Sequence, residues 1–125
     1  LMKDTIKYQI IKWNVAQANE QVTVNVNTDK LYKNITGLVL TLPFNVLPSD
    51  RSEMQLVIND REIFPENFEA KLIVSDLSIP VNERLYKVEE EADGSTVKIK
   101  YKDGGMPDMQ YPYEVRLYLK LEERI

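Results

Sequence analysis

Cysteine and histidine are both absent from this 125-residue chain. Without cysteine there can be no disulfide, no thiolate nucleophile and no zinc–thiolate site. The compartment stays open, because a stable sandwich can do without disulfides outside the cell. Without histidine the usual general base, the Ser-His-Asp arrangement and the commonest transition-metal ligand are excluded. Long apolar runs are missing too. None approaches the roughly 18 residues that a spanning helix needs, so no membrane span is expected. Leu1-Met2-Lys3-Asp4-Thr5 contains no apolar signal core. Two readings of that start stand open: Met2 as initiator behind an extra residue, or a longer N-terminus trimmed away. Gly104-Gly105 belongs to no G-x-G-x-x-G pattern and no Lys-Ser/Thr comes after it, so it is not a phosphate cradle.

Clustered positive charge is also lacking. The formal charge is −4 and the pI about 4.9, against the basic patch that phosphate binding requires, so no nucleic-acid partner is expected. The densest basic stretch, Lys98-Ile99-Lys100-Tyr101-Lys102, has a period of two. That period puts all three lysines on one strand face, a solvated one.

Carboxylates are the remaining acid–base equipment. Twenty Asp and Glu make chance pairs inevitable. A glycosidase needs two held about 5–9.5 Å apart across a cleft, and nothing in the pattern selects such a pair. The expectation is a non-enzyme without a cofactor. Glu89-Glu90-Glu91-Ala92-Asp93-Gly94 and Asp103-Gly104-Gly105-Met106-Pro107-Asp108 carry oxygen ligands but lack the alternate spacing and distal Glu of a calcium loop. No metal site is assigned. Asn34-Ile35-Thr36 matches the glycosylation pattern, which matters only in a secretory route.

What is present is alternation. Val22, Val24 and Val26 alternate with Thr23, Asn25 and Asn27; Leu38, Leu40 and Leu42 with Val39 and Thr41; Val115, Leu117, Leu119 and Leu121 with Arg116, Tyr118, Lys120 and Glu122. Period two marks half-buried strands. Strands are predicted at 5–13, 20–28, 34–42, 53–59, 62–64, 70–75, 83–89, 95–102 and 112–122. Turns are predicted at Asn45–Ser52, at Asn59-Asp60, at Ala92-Asp93-Gly94-Ser95 as an Asp-Gly hairpin, and in the Gly/Pro loop from Asp103. In "QLVINDREIFPENFEAKLI" (55–73), with Met54 just before it, Met54, Leu56 and Ile58 share one face. Ile63, Phe64 and Phe68 are expected in the core, and Asp60, Arg61, Glu62, Glu66 and Glu69 on turns and the wet face. Pro43, Pro48, Pro65, Pro80 and Pro112 border strand runs and could blunt sheet edges. Many short strands in one domain (1–125) indicate an all-β antiparallel sandwich or barrel.

Seven tyrosines are present. Tyr111 and Tyr113, beside the Gly-rich loop, form a candidate platform for stacking on sugar rings. Such a platform would fit a small secreted carbohydrate-binding module.

"LYKNITGLVLTLP" (31–43), "LVINDREIFPENFEAKLI" (56–73), "VNERLYKV" (81–88) and "PYEVRLYLKLEE" (112–123) resemble, in style and order, the small jelly-roll structural proteins of bacterial viruses: capsid, vertex or decoration components. The resemblance implies a jelly-roll-like sandwich of about eight strands. It also implies a non-enzymatic structural role in a virion, with other structural proteins as partners. It carries no functional residues with it. The secreted carbohydrate-binding module is the alternative to this structural role.

The first strand bears on partners. Ile6, Tyr8 and Ile10 fall on one phase, Ile11 and Trp13 on the other. A strand apolar on both phases needs cover on both faces. Either a neighbouring copy supplies the second cover, or a bulge near Ile10-Ile11 shifts the phase. The first reading predicts a homo-oligomer, a ring, with Ile6, Tyr8, Ile11 and Trp13 at or near the interface.

Overall fold

Eight strands succeed one another along the chain: β1 (Ile6–Val15), β2 (Gln21–Asn27), β3 (Tyr32–Thr41), β4 (Glu53–Ile58), β5 (Arg61–Phe64), β6 (Tyr86–Glu91), β7 (Thr96–Lys102) and β8 (Tyr113–Arg124). The computed structural model describes residues 6–42, 51–74, 85–105 and 110–124. Residues 1–5, the turn expected at 45–50, the start of the strand expected at 83–89, loop residues 106–108 and Pro43, Pro48 and Pro80 lie outside the described residues.

The pairing is nested. β1 pairs with β8, β2 with β7, β3 with β6 and β4 with β5, all antiparallel. Two further antiparallel ladders, β3 with β8 and β4 with β7, join these pairs into sheets of order β1-β8-β3-β6 and β2-β7-β4-β5. One long hairpin rolled into two four-stranded layers is a jelly roll. Its consequence is that β4–β5 is the one hairpin within a sheet among the described strands; the other connections cross between layers.

The turns arise from their residues. Asn59 and Asp60 both adopt positive φ (51° and 65°) and close the β4–β5 hairpin. Asn and Asp tolerate that region because their short side chains bond locally. Asp93-Gly94 makes an equally tight turn, with φ of 49° and 77°, but it is not the expected hairpin. Ala92 N–H goes to Lys33 of the first sheet, and the Ser95 carbonyl accepts from Thr28 at the end of β2. The turn therefore carries the chain from one sheet to the other. The strand expected at 70–75 is replaced by a 3-10 turn at Ala70–Ile73, followed by a single bridge at Val74. Ala70 and Ile73 are buried while Leu72 is exposed; that spacing of three suits a 3-10 turn, where residues i and i+3 share a side.

The core lies between the sheets. Ile11, Trp13, Val15, Leu38, Leu40, Val115, Leu117, Leu119 and Leu121 face Met54, Leu56, Ile58, Val97, Ile99 and Tyr101 across it. Lys98, Lys100 and Lys102 alternate outward on β7, as their period predicts. Phe64 is buried and stacks on half-buried Phe68 at 4.1 Å, with Tyr86 edge-on to Phe64 at 5.2 Å. Asp60 and Glu62 stay on the surface, and Arg61, Glu66 and Glu69 pair with Glu90, Lys100 and Lys71.

Each open side of the sandwich is bridged. On the β1/β2 side, Gln9 Nε2 donates to the Asn27 carbonyl and Gln9 Oε1 accepts from Asp29 N–H; Lys7 pairs with Asp29 at 2.6 Å. On the β6/β5 side, Arg61 reaches Glu90 at 3.6 Å.

Candidate interaction face

β1 lies at the edge of its sheet. Its register against β8 runs unbroken from Ile6↔Glu122 to Val15↔Tyr113. No bulge shifts its phase, so its two apolar sets point opposite ways. Ile11 (4% exposed) and Trp13 (6%) enter the core. The sequence places both near an interface; they belong instead to the chain's own interior, because their phase matches Val115 and Leu117 across the ladder. Ile6 (48%), Tyr8 (39%) and Ile10 (49%) stay on the outside.

That outer row does not stop at β1. Ile10 stands opposite Tyr118 on β8, and Tyr118 opposite Val39 on β3. Further along, Leu85 lies against Gly37 of β3, whose outer surface it covers: a Cβ there would sit 3.1 Å from that of Leu85. Polar groups flank the row. Arg116 pairs with Glu114 at 2.6 Å, and Thr36 donates to Glu122 at 2.6 Å. Covering the half-exposed Ile6, Tyr8 and Ile10 would contribute about 1 kcal/mol each.

The edge itself is weakly guarded. β5 is short and Pro65 comes directly after it; β2 presents Thr23, Asn25 and Asn27 outward. β1 is ten residues long and contains no proline. Pro112 precedes β8, an interior strand, and so blunts no edge. Long apolar edges without proline are templates for pairing with another chain, and lysines are the only charges this one carries.

The tyrosine platform is not there. Tyr113 is buried and Tyr111 half-buried, and both hydroxyls donate to Asp103, at 2.5 Å each. Tyr101 lies 3.0 Å beyond, so its hydroxyl donates to that of Tyr113. The N–H groups of Asn19 and Gly105 complete the set on Asp103 Oδ2, at 3.0 and 2.9 Å. Burial would push the Asp103 carboxyl up, but these four hydrogen bonds outweigh it and hold the group below the ordinary carboxylate range. Burial, and then the bond to Asp103, push the Tyr113 phenol well above its ordinary value. The cluster ties the loop after β7 to the β1–β2 turn and to the start of β8. Its hydroxyls are spent on the protein itself. Trp13 Nε1, across the core from Tyr101, is buried without a hydrogen-bond partner among the described residues.

Open grooves run along β3 and β6, of about 780 and 480 Å³. Asn34 and Thr36 of the glycosylation pattern line the larger, beside Glu89, Glu91 and Asp93. Among the described residues, no three carboxylates converge as a metal-binding group, and no helix is long and apolar enough to cross a membrane. No family model matches the chain, and neither a curated protein nor a solved structure matches it.

Proposed function

We propose that this chain is a non-enzymatic assembly protein, a virion component of a bacterial virus (capsid, vertex or decoration), that packs against copies of itself and against other structural proteins. One observation carries the reading: the outward row Ile6, Tyr8 and Ile10 on a long edge strand with unbroken register. An apolar phase turned to solvent marks a contact surface when it is contiguous and rimmed by polar groups. The segment pattern supports the viral part of the reading. So does the jelly-roll order, which viral capsid domains use; lectin domains and cupins use it too, and a fold by itself selects no function. The carbohydrate alternative loses its support with the engagement of Tyr111 and Tyr113 by Asp103.

The test is the assembly state of the whole chain, by light scattering across a concentration series. The wild type is expected as an oligomer. Tyr8→Ser/Ile10→Ser should be monomeric at the same concentrations with an unchanged thermal melt, because both side chains point away from the core. A wild type that stays monomeric at high concentration, or a variant that assembles as well as the wild type, would overturn the proposal.

A further inference from the structure

We infer that copies of this chain associate head to tail, the β1 edge of one lying against the β6 edge of the next. This rests on the self-association proposed above and supplies its second surface.

β1 and β6 are the two edges of one sheet, and they carry opposite charge. β1 contains Lys12 and Lys7 and no carboxylate; Lys7 is already paired with Asp29, so Lys12 is the edge's available charge. β6 contains Glu89, Glu90 and Glu91 against one lysine, Lys87, and Asp93 lies just beyond. Glu90 reaches Arg61. Glu89 and Glu91 are exposed, and neither has an ion-pair partner among the described residues. Like charges set directly opposite each other destabilise a sheet, and unlike charges stabilise it. Two β1 edges side by side would oppose lysine to lysine; two β6 edges would oppose glutamate to glutamate. β1 against β6 opposes lysine to glutamate. The charges that blunt each edge against its own kind make it complementary to the other.

Strand direction agrees. β1 is antiparallel to β8, β8 to β3 and β3 to β6. β6 therefore runs opposite to β1. A second copy in the same orientation, set beside the first, offers an antiparallel partner and continues the alternation. β1 brings exposed apolar surface as well, Ile6, Tyr8 and Ile10. On β6 the outer phase carries Glu89 and Glu91, while Tyr86 shares the inward phase of its partner Leu38 and packs on Phe64. A contact between two different patches repeats from copy to copy, as rings and filaments require.

The experiment uses the full chain and two charge reversals, Lys12→Glu on β1 and Glu89→Lys/Glu91→Lys on β6. Each alone should weaken association by about tenfold or more. An equimolar mixture of the two should recover it, because each reversed edge then meets a reversed partner. Trp13 emission and thermal melts report whether each variant is folded. A variant that melts early is replaced by Lys12→Gln or Glu89→Gln/Glu91→Gln, which must still weaken association. If the β6 variant assembles like the wild type while Tyr8→Ser/Ile10→Ser does not, the head-to-tail contact is wrong and the assembly role stands. Failure of the mixture to recover also overturns the contact. A wild type monomeric throughout overturns both.

Discussion

Asp103 stands one residue beyond β7, where two tyrosine hydroxyls and two backbone N–H groups reach its carboxylate. Its own N–H goes to the Glu20 carbonyl, and Gly104 N–H goes to Ser52 Oγ. Hydrogen bonds to a charged acceptor contribute more than neutral ones, and a buried donor that loses its acceptor costs stability. Asp103→Asn is expected to lower stability by about 2–3 kcal/mol at neutral pH, measured by denaturant unfolding. The depressed carboxyl sets the sign of the pH dependence. A group whose folded pKa lies below its unfolded value of about 3.9 contributes stability above that value and loses it as pH falls through the folded pKa. The gap between wild type and Asp103→Asn should therefore narrow below about pH 4. A gap independent of pH would argue against an ionised Asp103. This cluster is half legible in the sequence. Tyr113 shares the parity of Val115, Leu117, Leu119 and Leu121, and that parity already points inward. What hides it is the neighbouring Gly-rich loop, which suggests exposure. No spacing rule links Asp103 to Asn19, because the contact is made by the fold.

Elements are more legible than single contacts. Where one face is wet and one dry, period two places the strand and its inward set, as in β4, β7 and β8. The exception at Ala70–Ile73 is short and apolar, and a four-residue run does not distinguish a buried strand from a 3-10 turn. The β4–β5 hairpin is readable because Asn59-Asp60 supplies both positive-φ residues. Asp93-Gly94 supplies the same backbone but joins two sheets, since a turn dictates a reversal and not the partner of the next strand. The β5 end of the sandwich depends on Phe64, closed in by Phe68 and Tyr86. Phe64→Ala should cost about 3–5 kcal/mol. Phe68→Ala should cost less, because its ring is only half-buried. Chemical denaturation of both variants checks the order, and equal losses would contradict the burial difference.

At the scale of the whole molecule, the nested pairing is beyond the reach of local pattern. Alternation identifies strands; it does not say that the first joins the last. β8 lies between β1 and β3, and its inward side chains from Tyr113 to Leu121 belong to the core. A chain ended at Gln110 would leave both neighbours with open ladders and uncovered apolar faces. It is expected to show no cooperative thermal transition by circular dichroism, and the full chain to show a single one. A cooperative melt of the shortened chain would mean that one sheet is stable without its centre.

The register of β1 against β8 has one more consequence. Ile6 is the cross-strand partner of Glu122, while Val15 and Tyr113 meet at the opposite end. Asp103 and its tyrosines gather at that opposite end. The domain thus has two poles. Both ends of the described chain leave from one, and the hydrogen-bonded cluster seals the other. A neighbour covalently joined through either terminus would hold the domain by the first pole like a lollipop on its stick. The sealed pole would face away from the point of attachment, and the flanks of the sandwich would remain free for lateral contact.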